Sequence, residues 1–102
     1  MAGMKKTTQN NVVKPGKELT ASKGDGITKK LQKKMHGGIT QMTMDLSAVK
    51  KMDTIGLGLI MAAHNALKEA GGNLNLINVP HELSAVFEAM GLAPHIEWEV
   101  IA

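Results

Sequence analysis

Three features of the sequence predict an α/β fold, a mixed and mostly parallel sheet of four to five strands with three crossover helices. In Met42 to Leu46, Met42, Met44 and Leu46 alternate with Thr43 and Asp45, the period of a strand with one buried face. From Ile55 onward apolar residues crowd together without alternation, as in the central helix of a small α/β core. Along the whole chain the segments read β, β, α, β, α, β, α, β, and such alternation implies strands joined by helical crossovers.

In order, residues 1 to 11 are polar and read as a frayed end. The first sixteen residues are taken as a flexible N-terminal segment with a short strand at Val12-Val13, stopped by Pro15-Gly16. Residues 17 to 102 form the domain, beginning with a second short strand over Lys17 to Thr20. Ser22-Lys23-Gly24-Asp25 has the spacing of a capping box, with Asp in place of Glu, and Gly24-Asp25-Gly26 reads as a turn. Ile27, Leu31 and Met35 then share a helical face, which Gly37-Gly38 end. Lys29, Lys30, Lys33 and Lys34 point elsewhere and read as a solubilising face in preference to a docking surface for an acidic partner.

The central helix is predicted from about Thr54 to Ala70, stopping at Gly71-Gly72. Leu57, Leu59, Ile60, Ala63, Ala66 and Leu67 cover most of its circumference, so it is mainly buried. Thr54, Gly58, Met61 and Asn65 form a different strip, stacked on one face at i, i+4, i+7 and i+11. Glycine costs roughly 1 kcal/mol in a helix interior relative to alanine. Gly56 and Gly58 therefore indicate close approach, either by a partner or by the chain's own neighbouring strand. Leu74, Leu76 and Val79 suggest the next strand. Pro80 opens a third helix with a buried face of Leu83, Val86, Phe87 and Met90, and Gly91 ends it. Ile96, Trp98 and Val100 alternate with Glu97 and Glu99 in a closing strand.

Composition narrows the function. A chain of 102 residues with 43% apolar and 21% charged residues is ordinary globular material for one domain. Phe87 and Trp98 are the only aromatics, so core volume falls to aliphatics and eight Met, and nucleic acid has no stacking platform. All twelve basic residues are Lys, so the Arg fork that reads guanine or clamps phosphate is missing. Without Cys there is no disulfide, thiol chemistry or Cys-based zinc site. His36, His64, His81 and His95 have no metal-ligand spacing and read as surface or capping residues. No metal, cofactor or catalytic residue is expected. With neither a membrane-spanning run nor a signal-peptide core, the expected location is cytoplasmic.

The junction Asp53-Thr54-Ile55-Gly56 holds the candidate site. Asp53 and Thr54 can each accept from the orphan N–H groups of a first helical turn. A hydroxyl there lies beside a position that favours negative charge, which suits a residue that carries a phosphate.

The same residues carry a family resemblance. Asp45-Leu46-Ser47-Ala48-Val49 followed by Met52-Asp53-Thr54-Ile55-Gly56-Leu57-Gly58 resembles the signature of STAS domains, the bacterial anti-sigma factor antagonists. The likeness continues through Ala62-Ala63-His64, Gly71-Gly72, Asn78-Val79 and Met90-Gly91-Leu92. It is close over Gln41 to Leu92, loose over Lys17 to Met35 and slight before. In that family the Ser after the motif Asp is phosphorylated by a kinase that doubles as an anti-sigma factor, and the unphosphorylated antagonist captures this kinase. The resemblance therefore implies Thr54 as the phosphoacceptor and Asp53 as the motif acid, with Ile55 and Gly56 completing the motif at the helix start; the strip of Gly58, Met61 and Asn65 beside them is taken as the partner-binding face. Two departures accompany it. Thr replaces Ser, as in stressosome members, and Glu18-Leu19 is followed by Thr20 where antagonists usually carry Asp.

The function expected is a non-catalytic interaction module that binds a serine/threonine kinase and is switched at Thr54, without nucleic-acid contact or membrane insertion. The alternative is a STAS subunit that is never phosphorylated and acts as a fixed partner, as in lipid-transport ATPase complexes. A small enzyme is set aside because no catalytic constellation is visible.

Overall fold

The computed structural model describes residues 11–94 and 96–101; residues 1–10 of the frayed end expected at the N-terminus and His95 lie outside them, whereas Asn11, the last residue of that end, accepts from the Thr43 N–H at 2.9 Å. Among the described residues the elements follow in the order β1 (Val12–Val13), β2 (Glu18–Leu19), α1 (Ala21–His36), β3 (Gln41–Asp45), β4 (Lys51–Met52), α2 (Thr54–Glu69), β5 (Asn73–Val79), α3 (His81–Ala89) and β6 (Glu97–Val100). Strands β1, β3, β5 and β6 form one sheet in that order, and β2 and β4 form a small second one. Every described ladder is parallel. Because the strand order advances in one direction only, right-handed crossovers place all three helices on the same face.

The alternation read from Met42 to Leu46 is what makes this work. Met42, Met44, Leu74 and Leu76 are buried beneath the helices. The opposite face carries Thr43, Asn75 and Glu97 side by side in register and is polar. The core also takes Leu19, Ile27, Leu31, Ile60, Leu67, Phe87 and Ile96. The two aromatics meet at its edge: the buried Phe87 and the half-buried Trp98 pack edge to face at 5.4 Å and 77°. The Trp98 indole N–H donates to Ser84 Oγ at 2.9 Å, tying β6 to α3.

All three helices end the same way. Gly38, Gly71 and Gly91 adopt φ of 92°, 84° and 72°. The next N–H reaches back to Lys34, Leu67 and Phe87, the 6→1 bond of a Schellman motif. The glycines marked as stops in the sequence are thus stops for a geometric reason.

The helix starts are less faithful to the sequence. Helix α1 begins at Ala21, with Thr20 at the N-cap and no bond from the Thr20 side chain to the helix. The capping box expected at Ser22 and Asp25 does not form, and Gly24-Asp25-Gly26 is helical instead of a turn. The cap that α1 needs comes from elsewhere in the chain. Helix α3 corrects a second expectation: Leu83 and Phe87 turn inward, but Val86 is 45% and Met90 55% exposed. With only nine residues, α3 covers the sheet edge with a narrower face than the sequence suggested. His64, expected at the surface, is buried in α2. Among the described residues no helix is long and apolar enough to cross a membrane, and no cluster of His, Asp and Glu could hold a metal.

Candidate functional site

The site is built where the two helix N-termini meet. Strand β4 runs alongside β2, pairing Lys51 with Glu18 and Met52 with Leu19. The following residues of each strand open α2 and α1, so both helices start from one place. Asp53 sits between them. Its Oδ1 accepts from the Gly56 N–H at 2.8 Å, capping α2, and its Oδ2 accepts from the Ala21 N–H at 3.1 Å, capping α1. One carboxylate therefore satisfies orphan donors of two helices. The Gly56 N–H, and after it that of Ala21, holds the Asp53 carboxyl below its ordinary range.

Gly56 is required by this arrangement. A Cβ on it would lie 1.8 Å from the Leu19 carbonyl oxygen, so the first turn of α2 rests directly on the backbone of β2. Gly58, two residues on, has nothing within 4 Å of the position a Cβ would take. The two explanations left open by the sequence divide between the two glycines. The neighbouring strand accounts for Gly56, and Gly58 opens to the outside.

With Asp53 as the cap, Thr54 is released from that duty. Its residue is exposed, and no described residue hydrogen-bonds to its hydroxyl. Gly58 and Asn65 are exposed along the same face of α2, and Met61 is half-buried. Ile55, beside Thr54, is 58% exposed. The structure thus brings Asp53, Thr54, Ile55 and Gly56 to one corner and leaves Gly58, Met61 and Asn65 leading away from it.

A groove of about 410 Å³ borders Thr54, and sequence reasoning missed it. Its walls include Met52, Leu57, Leu83, Val86 and Met90, with Lys50, Asp53 and Glu82 among the polar residues at its rim. The available signal was the surplus of apolar residues in α3, more than a nine-residue helix can bury.

The remaining motif residues are structural. Asp45 Oδ1 accepts from the Ser47 N–H at 2.9 Å and from Asn78 Nδ2 at 3.3 Å. Burial pushes the Asp45 carboxyl up, but the Ser47 N–H and hydroxyl, the Asn78 amide and Lys14 together bring it below its usual value. Asn78 itself sits at φ 53°, at a register shift between Leu76 and Val79. Thr20 is 6% exposed. Its hydroxyl donates to Glu18 Oε1 at 3.3 Å and lies 3.1 Å from Ser22 Oγ.

Comparison with known proteins bears on the fold. The chain superimposes on a protein assigned as an anti-sigma factor antagonist from Thermotoga maritima with a TM-score of 0.78 and 22% identity, covering 87% of this chain and 79% of that one. The anti-sigma factor antagonist SpoIIAA in its unphosphorylated form matches with a TM-score of 0.69 and 23% identity, over 89% of this chain and 78% of that one. The phosphorylated form of SpoIIAA, a Bacillus cell fate determinant, gives 0.68 and 24%, over 85% and 79%. At these identities the likeness establishes the fold. No curated protein matches the chain at a significant level. A family model for the STAS domain matches residues 3–101, nearly the whole sequence, and on that match the chain belongs to the STAS domain family.

Proposed function

We propose that this STAS domain is a non-catalytic regulatory module that captures a protein partner while Thr54 is unmodified and releases it when Thr54 is phosphorylated. The observation that carries the reading is the division of labour at the start of α2. Asp53 caps the helix, and the Thr54 hydroxyl stands exposed without a hydrogen-bond partner among the described residues. A hydroxyl that is not engaged in capping is free to be presented to a kinase. The partner is a serine/threonine kinase that doubles as an anti-sigma factor, and the protein acts in the cytoplasm. Its footprint runs from Thr54 along Gly58, Met61 and Asn65. The likeness to a protein solved in both unphosphorylated and phosphorylated forms supports this assignment.

Phosphothreonine carries roughly −1.5 to −2 charges and three strong acceptor oxygens. The N-terminus of α2 tolerates that charge within the domain. Asp53 opposes it, and a partner closing over it would have to desolvate it, so binding suffers more than folding.

One observation favours a second reading, that of a fixed subunit never phosphorylated. Thr20 is buried, and a hydroxyl stands where antagonists usually carry a carboxylate. Intact-mass analysis of the protein from its native host, during growth and stress, separates the two. A single phosphoryl group localised to Thr54 is expected. Its absence in every condition, together with unchanged partner capture by Thr54→Glu, would leave the fixed-subunit reading standing.

A further inference from the structure

We propose that the groove between β1 and the C-terminal half of α1 is a binding site for a phosphate-rich anion, separate from the Thr54 corner. The groove has a volume of about 490 Å³. It gathers Lys14, which follows β1, with Lys30, Lys33 and Lys34 of α1, against an apolar wall that includes Val13 and Ile39. No acidic side chain is among the described residues that line it.

Ordinary helix design does not account for this cluster. Lys33 belongs to the last turn of α1, where a cation complements the helix dipole. Lys30 lies a turn further in, and Lys14, outside the helix, also faces the Asp45 carboxylate. A solubilising helix face usually alternates sign, placing acids three or four residues from its lysines. Lys30 and Lys33 have no acid at those spacings, and Asp25 is the only acid in α1. Like charges at i and i+3 repel, so Lys30 and Lys33 disfavour one another, and an anion between them relieves that repulsion.

A concave wall with one sign of charge concentrates counter-ions. Lysine is a compact point charge with three rotatable donors, which suits phosphate oxygens without demanding the planar geometry of an Arg fork. No aromatic lines the groove to stack on a base or ring, so recognition rests on the phosphates. Lys30 lies nine residues beyond Ala21, about 14 Å along the helix axis from the Asp53 cap. The site therefore stands whether or not Thr54 is a phosphoacceptor.

The test is a calorimetric titration of the full chain at low ionic strength with tripolyphosphate, a glutamate-rich peptide of matched charge, and phosphatidylglycerol vesicles. Tripolyphosphate should bind saturably at one site, and added salt should weaken it. Lys14→Gln with Lys33→Gln should weaken binding at least about tenfold, whereas Lys23→Gln with Lys68→Gln, removing the same charge elsewhere, should cost less than about threefold. Vesicle binding that tripolyphosphate displaces would identify a lipid headgroup as the source, and tripolyphosphate binding without vesicle binding would identify a free anion. Equal losses in the two double variants would show diffuse charge and overturn the proposal. Peptide binding as tight as that of tripolyphosphate, or no saturable binding, would overturn it as well.

Discussion

At the scale of single residues, the junction turns on Asp53 and two glycines two positions apart. The Asp53 carboxylate accepts from both helices, whereas an Asn side chain has one acceptor oxygen and must turn its amide toward the other N–H. Asp53→Asn should therefore lower the melting temperature less than Asp53→Ala, and both should lower it. The pH dependence has a definite sign. A carboxyl held below its ordinary value in the folded state contributes stability that is present above the unfolded value, about 3.9, and is lost as pH falls through the folded value. Asp53 and Asp45 are both held low. Wild type should lose stability on acidification below about pH 4, and Asp53→Asn should flatten part of that slope. Melts between neutral pH and pH 3 would show it; parallel curves for the two proteins would refute the double cap.

The glycines make a sharper test because one substitution has opposite signs. Gly56→Ala drives a Cβ into the Leu19 carbonyl and should destabilise by about 3 kcal/mol or more, or prevent folding. Gly58→Ala meets open space and should stabilise by about 0.5–1 kcal/mol through helix propensity. If Gly58 is in the partner footprint, the same variant should bind its partner more weakly despite being more stable. Urea unfolding paired with a pull-down reads both quantities.

At the scale of elements, α2 and α3 each divide their residues between core and outside. Thr54→Glu places charge on an exposed position at a helix N-terminus, so stability should change by no more than about 0.5 kcal/mol. Partner capture should fall about tenfold or more. Met61→Lys should block capture regardless of phosphate, and Thr54→Ala should bind yet escape phosphorylation. If the groove beside Thr54 belongs to the interface, Val86→Lys and Met90→Lys should also impair capture while leaving urea midpoints nearly unchanged, because both side chains are largely exposed. Recovery of the same partners by all of these variants as by wild type would remove this face as the binding surface.

At the scale of the whole molecule, one core on one side of a parallel sheet should unfold as a unit. Trp98 bridges β6 and α3 through Phe87 and Ser84, so its fluorescence reports on the far edge of the sheet. Its urea transition should coincide with that of helical circular dichroism. Phe87→Ala, at 0% exposure, should lower stability by about 3–5 kcal/mol. Fluorescence lost well before helicity would show that β6 and α3 detach independently.

By itself, the sequence determined the features that depend on near neighbours. The alternation at Met42 to Leu46 set the buried face of the central strand, and glycines following apolar helical runs set the three helix ends, because period and left-handed backbone are local properties. The motif spacing also marked Asp53 and Thr54 as the start of the central helix. Tertiary structure decided whatever needed a second segment. The cap of α1 comes from Asp53, thirty-two residues away, so no local pattern around Ser22 could reveal it. Whether Gly56 or Gly58 met the chain itself depended on where Leu19 lay. The exposure of Val86 and Met90 depended on how much of α3 the sheet edge could cover, since a helix's apolar residues are buried only where another surface meets them.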